Sequence, residues 1–232
     1  LTVRQGEWGS WSYVAVAGDL VVSSWLGCTA THSTSGLGGG ALSAGDEVAV
    51  VSPRVDEACV GEIPVFPDLP GAAPIRVVVG PQHRHFPTSV VDTLASSTYR
   101  LTDAYDRMGV RLDGPVLTPE HALSIPSEPI VRGSIQVSGD GVPTVLLADH
   151  QTTGGYPKIA TVISADLDRL VQRRVGDEVR FALVTPAEAV DIVRARGEAV
   201  DRYRTAVAGE GRTLTHRLRD ASLVSGVIDP SE

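Results

Sequence analysis

A mainly β protein with a few helices, built as two barrel-like β units of which the first is N-terminally incomplete, is the architecture this sequence predicts. Three observations carry that reading. Short runs of branched apolar residues recur along the chain, separated by glycine- and proline-containing turns, the pattern of closed or sandwiched β domains. Helical periodicity is confined to a few segments. Gly45-Asp46-Glu47-Val48 is echoed by Gly176-Asp177-Glu178-Val179, and Ala17-Gly18-Asp19-Leu20 by Ser164-Ala165-Asp166-Leu167, in the same order, as expected for two related units.

Trp11 to Ala17 reads as a first strand, and Gly45 to Val51 as a turn feeding another. The polar stretch from Gly27 to Gly40 includes Gly36-Leu37-Gly38-Gly39-Gly40, but no Lys-Ser/Thr follows. The segment therefore fails as a phosphate loop and is expected to be a flexible connection. Residues 53–74 carry five prolines among acidic residues, too many for a helix or an inner strand. They are expected to link a remainder of the first unit (1–52) to a second unit (75–208), followed by a polar tail (209–232).

In the second unit, strands are expected at 75–79, 99–101, 107–112, 134–137, 143–148, 159–163 and 178–184. Gly80 to Phe86 is expected to be a loop. Thr88 to Ser96 fits a short helix with Val90, Val91 and Leu94 inward. Ser164 to Val171 has a serine to cap it and Leu167, Leu170 and Val171 at helical spacing. Thr185-Pro186-Ala187-Glu188 combines a hydroxyl cap, proline at the first helical position and a glutamate to close a capping box. Val190, Val193, Val200, Tyr203 and Val207 then give one apolar stripe.

Composition sets aside several classes. Hydrophobic content of 42% and charged content of 21% are ordinary for a globular protein. No apolar run approaches membrane-spanning length, and the first residues lack the blocks of a signal peptide, so a cytoplasmic location is expected. The net charge of −8, with eight acids against two bases in residues 1–70, argues against nucleic acid. Cys28 and Cys59 make neither a disulfide framework nor a zinc set, and His83 and His85 lack companions at ligand spacing.

The chemistry is expected between Asp149 and Ser164. Here Gln151, Thr152, Thr153, Gly154, Gly155 and Tyr156 precede Pro157-Lys158, and Lys158 is the only lysine against nineteen arginines. An ammonium is a compact charge that a guanidinium does not replace. The glycines are expected to take positive φ, and their amides, the two threonine hydroxyls and the ammonium to cradle a phosphate or carboxylate. Asp106 and Asp149 are candidate bases or partners that orient Lys158; turn capping is the competing role for each. Gln82, Gln136 and Gln151 offer paired donors and acceptors for an amide edge. Of Arg107 and Arg111, at most one is expected to enter the pocket unless Gly109 makes a bulge.

Several stretches together resemble a known family. They are Gly80-Pro81-Gln82 with Phe86, Asp106-Arg107-Met108-Gly109-Val110-Arg111-Leu112, Gly133-Ser134-Ile135-Gln136-Val137, and the run from Leu146 to Val162. With Tyr13 to Gly18 and Gly36 to Val48, they are similar to the biotin-dependent carboxyltransferase-like family. That family includes the C-type subunit of 5-oxoprolinase, allophanate hydrolase subunit 2 and an antagonist of a sporulation kinase inhibitor. The resemblance implies two cyclophilin-like barrels and an obligate paralogous partner, the B-type subunit (allophanate hydrolase subunit 1-like), with a large A-type subunit. It implies an ATP-dependent (Mg-ATP) opening of a cyclic amide, 5-oxoproline to glutamate. The alternatives are a urea amidolyase-type carboxyltransferase with biotin on a separate carrier, and a non-catalytic regulator of its paralogue. Three features depart from the family pattern. No Thr-Val-Gln-Asp-Leu-Gly-Arg-like opening is present, His150 stands where arginine is usual, and Tyr105 where serine is usual.

Overall fold

The computed structural model describes residues 1–4, 6–32, 35–54, 63, 73–120 and 124–210. Most of the proline-rich 53–74 stretch, Cys59 and the tail beyond residue 210 lie outside the described residues. The chain divides into two compact units, one of Leu1–Tyr13, Thr31–Leu37 and Asp68–Arg196, the other of Val14–Ala30, Gly38–Pro67 and Gly197–Glu232.

Eleven strands and three α-helices are present among the described residues. In chain order they are β1 (Asp19–Val21), β2 (Ala49–Val51), β3 (Ile75–Val79), α1 (Thr88–Ser96), β4 (Thr98–Tyr105), β5 (Gly109–Asp113), β6 (Glu128–Pro129), β7 (Ser134–Val137), β8 (Pro143–Leu146), β9 (Thr153–Gly154), β10 (Lys158–Val162), α2 (Ser164–Val171), β11 (Glu178–Leu183) and α3 (Pro186–Glu210). In the unit containing Val14–Ala30, β1 and β2 form an antiparallel pair with Asp19 opposite Val51. No strand forms over Trp11–Ala17. A strand needs a ladder partner, and the Gln172 side-chain amide takes that place at Trp11. Its Oε1 accepts the Trp11 N–H at 3.1 Å and its Nε2 donates to the Trp11 carbonyl at 3.1 Å.

The predicted β barrel is present in the other unit, where seven strands close in the order β10-β3-β11-β4-β5-β8-β7. Only β3 and β11 run parallel; the other pairs are antiparallel. Strand alternation sends one set of side chains into a single core containing Ile75, Val77, Tyr99, Leu101, Val110, Leu112, Ile135, Val145, Ala160 and Phe181. Leu94 of α1 and Leu167 and Leu170 of α2 complete it from outside the strands.

Three local expectations are corrected. The N-cap of α2 is Ile163, and no side chain caps that helix. Ser164 is already its first residue, and buried Asp166 is turned instead toward Arg76 of β3. Gly80 to Phe86 contains a 3-10 turn, His83–His85. The strand expected from Arg107 begins at Gly109, with the register irregularity on β4 between Leu101 and Tyr105. Residues four apart share a face of a regular strand, so Arg107 and Arg111 diverge because Arg107 lies in the turn. The capping box of α3 forms as the sequence indicates: Glu188 accepts the Thr185 N–H at 2.8 Å, and Thr185 Oγ1 accepts the Glu188 N–H at 3.2 Å. On α3 itself, Val190 and Val193 of the expected stripe are exposed.

Candidate functional site

Cross-strand register assembles the site. Val110, Val145, Ile135 and Ala160 oppose one another on β5, β8, β7 and β10, and all point into the core. The neighbouring row therefore points out of the barrel. It consists of Arg111 opposite Thr144, Thr144 opposite Gln136, and Gln136 opposite Lys158. Lys158 belongs to this row because the β10–β7 register shifts between Lys158 and Ala160, so two residues of β10 span one step of β7. Without that bulge, Lys158 would share the core face with Ala160.

A short ribbon, β6 paired with β9, lies beside one end of the row, with Glu128 opposite Gly154. Lys158 is 3% exposed and Gln136 5%. Among the described residues the Lys158 ammonium has no hydrogen-bond partner, and neither does Gln136 Nε2. The carboxylate nearest that ammonium among the described ion pairs is Glu128, with Oε2 at 4.0 Å, beyond hydrogen-bond reach. Gln82, itself 1% exposed, ties these parts together. Its Oε1 accepts the Lys158 backbone N–H at 2.9 Å, and its Nε2 donates to Glu128 Oε2. Gly80 permits this approach, since a Cβ there would lie 2.4 Å from the Lys158 carbonyl oxygen.

The two glycines of the turn serve a different purpose from the one expected. Neither is among the residues at positive φ. A Cβ on Gly154 would stand 2.7 Å from Gln136 Nε2 and 2.4 Å from Ile130 Cδ1, and one on Gly155 would stand 3.0 Å from the Ile125 carbonyl oxygen. They are needed for close packing. Gly154→Ala should therefore destabilise by about 1–3 kcal/mol through overpacking and displace the Gln136 amide. Thermal melts would show the loss, and Gly155→Ala should be the milder change.

The predicted site residues fall into two groups. Gln82, Gln136, Gln151 and Lys158 come together, with Gln151 Nε2 donating to Gln136 Oε1 at 3.4 Å. A cleft of about 650 Å³ runs from Gln136 and Gln151 along the outer row, lined also by Thr144, Arg111, Asp106 and Tyr156 among others; Lys158 and Gln82 are buried and do not line it. Asp106 caps its turn, accepting the Met108 and Gly109 N–H groups at 2.7 and 3.2 Å. Arg111 is engaged by Asp140. The Ser138 hydroxyl, the Val142 N–H and Arg111 hold the Asp140 carboxyl down to about 2.

Asp149 and Arg107 form a pair of their own, two parallel contacts of 2.7 and 2.8 Å. Those hydrogen bonds hold the Asp149 carboxyl below its ordinary value, which makes it a weak base at neutral pH. Among the described residues, no ion pair joins Lys158 to Asp149 or Asp106; its carboxylate neighbour is Glu128. Thr152 and Thr153 are exposed, and the Thr152 carbonyl accepts the Ile130 N–H. Sequence reasoning missed Glu128 and Thr144. Glu128 sits in Ser127-Glu128-Pro129, which carries no motif, and only the ribbon pairing brings it to the lysine. Among the described residues there is no group of three His, Cys, Asp or Glu that could hold a metal ion. No helix among them is long and apolar enough to cross a membrane.

A family model described as carboxyltransferase domain, subdomain A and B, matches residues 1–183. The chain belongs to that family. Among curated relatives of this carboxyltransferase-domain chain, the C-type subunit of 5-oxoprolinase from Haemophilus influenzae is 32% identical over 89% of the chain and 67% of the relative. Its counterpart from Escherichia coli is 33% identical over 82% of the chain and 61% of the relative. The chain thus spans about two thirds of the length of these relatives. A solved structure, the Kluyveromyces lactis urea amidolyase, superposes with a TM-score of 0.64 at 20% identity, covering 81% of this chain and 13% of that one. That likeness supports the fold.

Proposed function

We propose that this carboxyltransferase-domain chain acts as the C-type subunit of an ATP-dependent 5-oxoprolinase-type complex. In it, the cleft on the outer barrel face holds a small cyclic amide, while a paralogous B-type subunit and a large A-type subunit complete the machinery. The observation that carries the reading is a buried ammonium with no hydrogen-bond partner among the described residues, set in a polar row, in a chain whose relatives bear that name. Buried polar groups without partners are rare and point to a ligand. Gln136 and Gln151 supply the donor and acceptor an amide edge requires. Lys158 supplies positive charge in a site closed to water, where charge acts strongly. Asp106 and Arg111 would form the outer wall.

The Gly154–Gly155 turn does not fit a triphosphate. Gly154 is paired in the ribbon, the Gly155 carbonyl accepts the Ile125 N–H, neighbours stand where Cβ atoms would be, and Glu128 places a negative charge beside the lysine. Mg-ATP consumption is accordingly assigned to the assembled complex, not to this turn.

A second reading keeps the same cleft for carboxyl transfer from carboxybiotin, and the family description favours it. Within residues 1–232 the single Met108 is followed by Gly109 and the one lysine is Lys158 of the barrel, so this reading needs biotin carried outside these residues. One experiment separates the two: ATP hydrolysis by the co-purified complex, with 5-oxoproline or with urea, bicarbonate and a biotinylated carrier. The first reading expects turnover with 5-oxoproline alone. Turnover that requires the carrier would replace it with the second. A complex inert to both sets, whose only effect is sequestration of the paralogue, would overturn both.

A further inference from the structure

Two donors beside the cleft lack acceptors, and they are neighbours: Gln136 lines the cleft, whereas Lys158 is buried next to it and does not. Lys158 and Gln136 are register partners, so their side chains leave the sheet on one face with Cβ atoms roughly 5 Å apart. Lys158 Nζ and Gln136 Nε2 are both buried, and among the described residues neither has a hydrogen-bond partner. The remaining polar atoms nearby are occupied. Gln82 uses its oxygen on the Lys158 N–H and its nitrogen on Glu128, and Gln136 Oε1 is taken by Gln151.

We infer that Lys158 Nζ and Gln136 Nε2 form one two-donor site for a carboxylate carried by the ligand. A planar carboxylate has two oxygens, one to accept from the ammonium and one from the amide. Glu128 limits the charge that fits. It stands 4.0 Å from the ammonium and is fixed by Gln82. A phosphate dianion would meet it as a doubled like charge, while a carboxylate meets half that repulsion. Glu128 is thus a positioning residue that selects for monoanions. The ligand class is a small amide bearing a carboxylate, with its amide edge along the cleft toward Gln151. The inference rests on the 5-oxoprolinase reading only for the choice of probe.

Because Lys158 is the only lysine of this chain, ¹⁵N-lysine labelling yields a single side-chain resonance from it, and that resonance reports directly on the site. The protein would be titrated at about pH 8.5, where inorganic phosphate is a dianion, with 5-oxoproline, with 2-pyrrolidinone (the same ring amide without the carboxylate), with acetate and with inorganic phosphate. We expect 5-oxoproline and, more weakly, acetate to shift the resonance and slow its proton exchange, and pyrrolidinone and phosphate to leave it unchanged. Gln136→Met, checked for folding by its amide spectrum, should weaken carboxylate binding by about ten- to a hundredfold. If acetate acts and 5-oxoproline does not, the carboxylate site stands and the substrate reading fails. If pyrrolidinone shifts the resonance as far as 5-oxoproline, if phosphate binds as well as acetate, or if no carboxylate moves it, the inference is overturned.

Discussion

Lys158→Met should abolish most of the activity of the reconstituted complex, about 10²–10³-fold in kcat/KM, while leaving the melting temperature unchanged or raising it. The first half follows from removing a preorganised charge in a site closed to water. The second follows from the cost of that charge. An ammonium buried without a hydrogen bond carries a desolvation penalty, and its replacement by an apolar chain of similar length is neutral or stabilising. Glu128, half-exposed, tolerates the loss. A structural lysine would behave in the opposite way, with stability falling and activity following it. Activity assays and calorimetry on the same preparation distinguish the two; a fully active Lys158→Met complex would remove the lysine from the chemistry. Lys158→Arg should not rescue, because a planar fork does not fit the space of a compact ammonium.

Asp166→Ala should destabilise the barrel by about 2–3 kcal/mol, less than the cost of breaking a fully buried ion pair because the Arg76 side chain left behind is 34% exposed. Asp166 is fully buried. It accepts the Arg76 backbone N–H at 2.7 Å, Arg76 Nε at 2.9 Å and Nη2 at 2.6 Å, fastening α2 to β3. Burial pushes its carboxyl up, but the hydrogen bonds and charge of Arg76 outweigh burial and hold it below the ordinary range. The sign for stability follows. A carboxyl depressed in the folded state contributes fully above its unfolded value, and that contribution is lost as pH falls through the folded value. The unmodified protein should therefore lose stability in acid, and Asp166→Asn should show a flatter acid limb from a lower plateau. Denaturant melts at neutral and acid pH test both; equal curves for the two proteins would refute the assignment.

Much of the barrel is legible in the residues. Ile75–Val79, Ser134–Val137 and Glu178–Leu183 carry branched apolar residues at strand spacing, and each forms a strand. Thr185, Pro186 and Glu188 announce the start of α3 because capping is local chemistry. Trp11–Ala17 has equally good strand character but pairs with no strand among the described residues, and propensity yields to the missing ladder. The candidate site is partly legible. Lys158 stands out by composition, and Gln82, Gln136 and Gln151 by amide chemistry. Glu128 does not, because its role comes from a two-residue ribbon pairing across a span with no sequence signal. Asp149, adjacent in sequence to the conspicuous turn, is claimed by Arg107 from the β4–β5 turn.

From the residues alone come the β class, the helix starts, the unique amine and the glycine-rich turn beside it, since each depends on interactions within a few positions of the chain. Tertiary structure decided which way the amine points and what surrounds it. One extra residue in β10 turns Lys158 from the core row to the outer row, and closure of the barrel sets Gln136, Gln82 and Glu128 around it. Register is a relation between strands distant in sequence, and a shift of one residue exchanges the two faces.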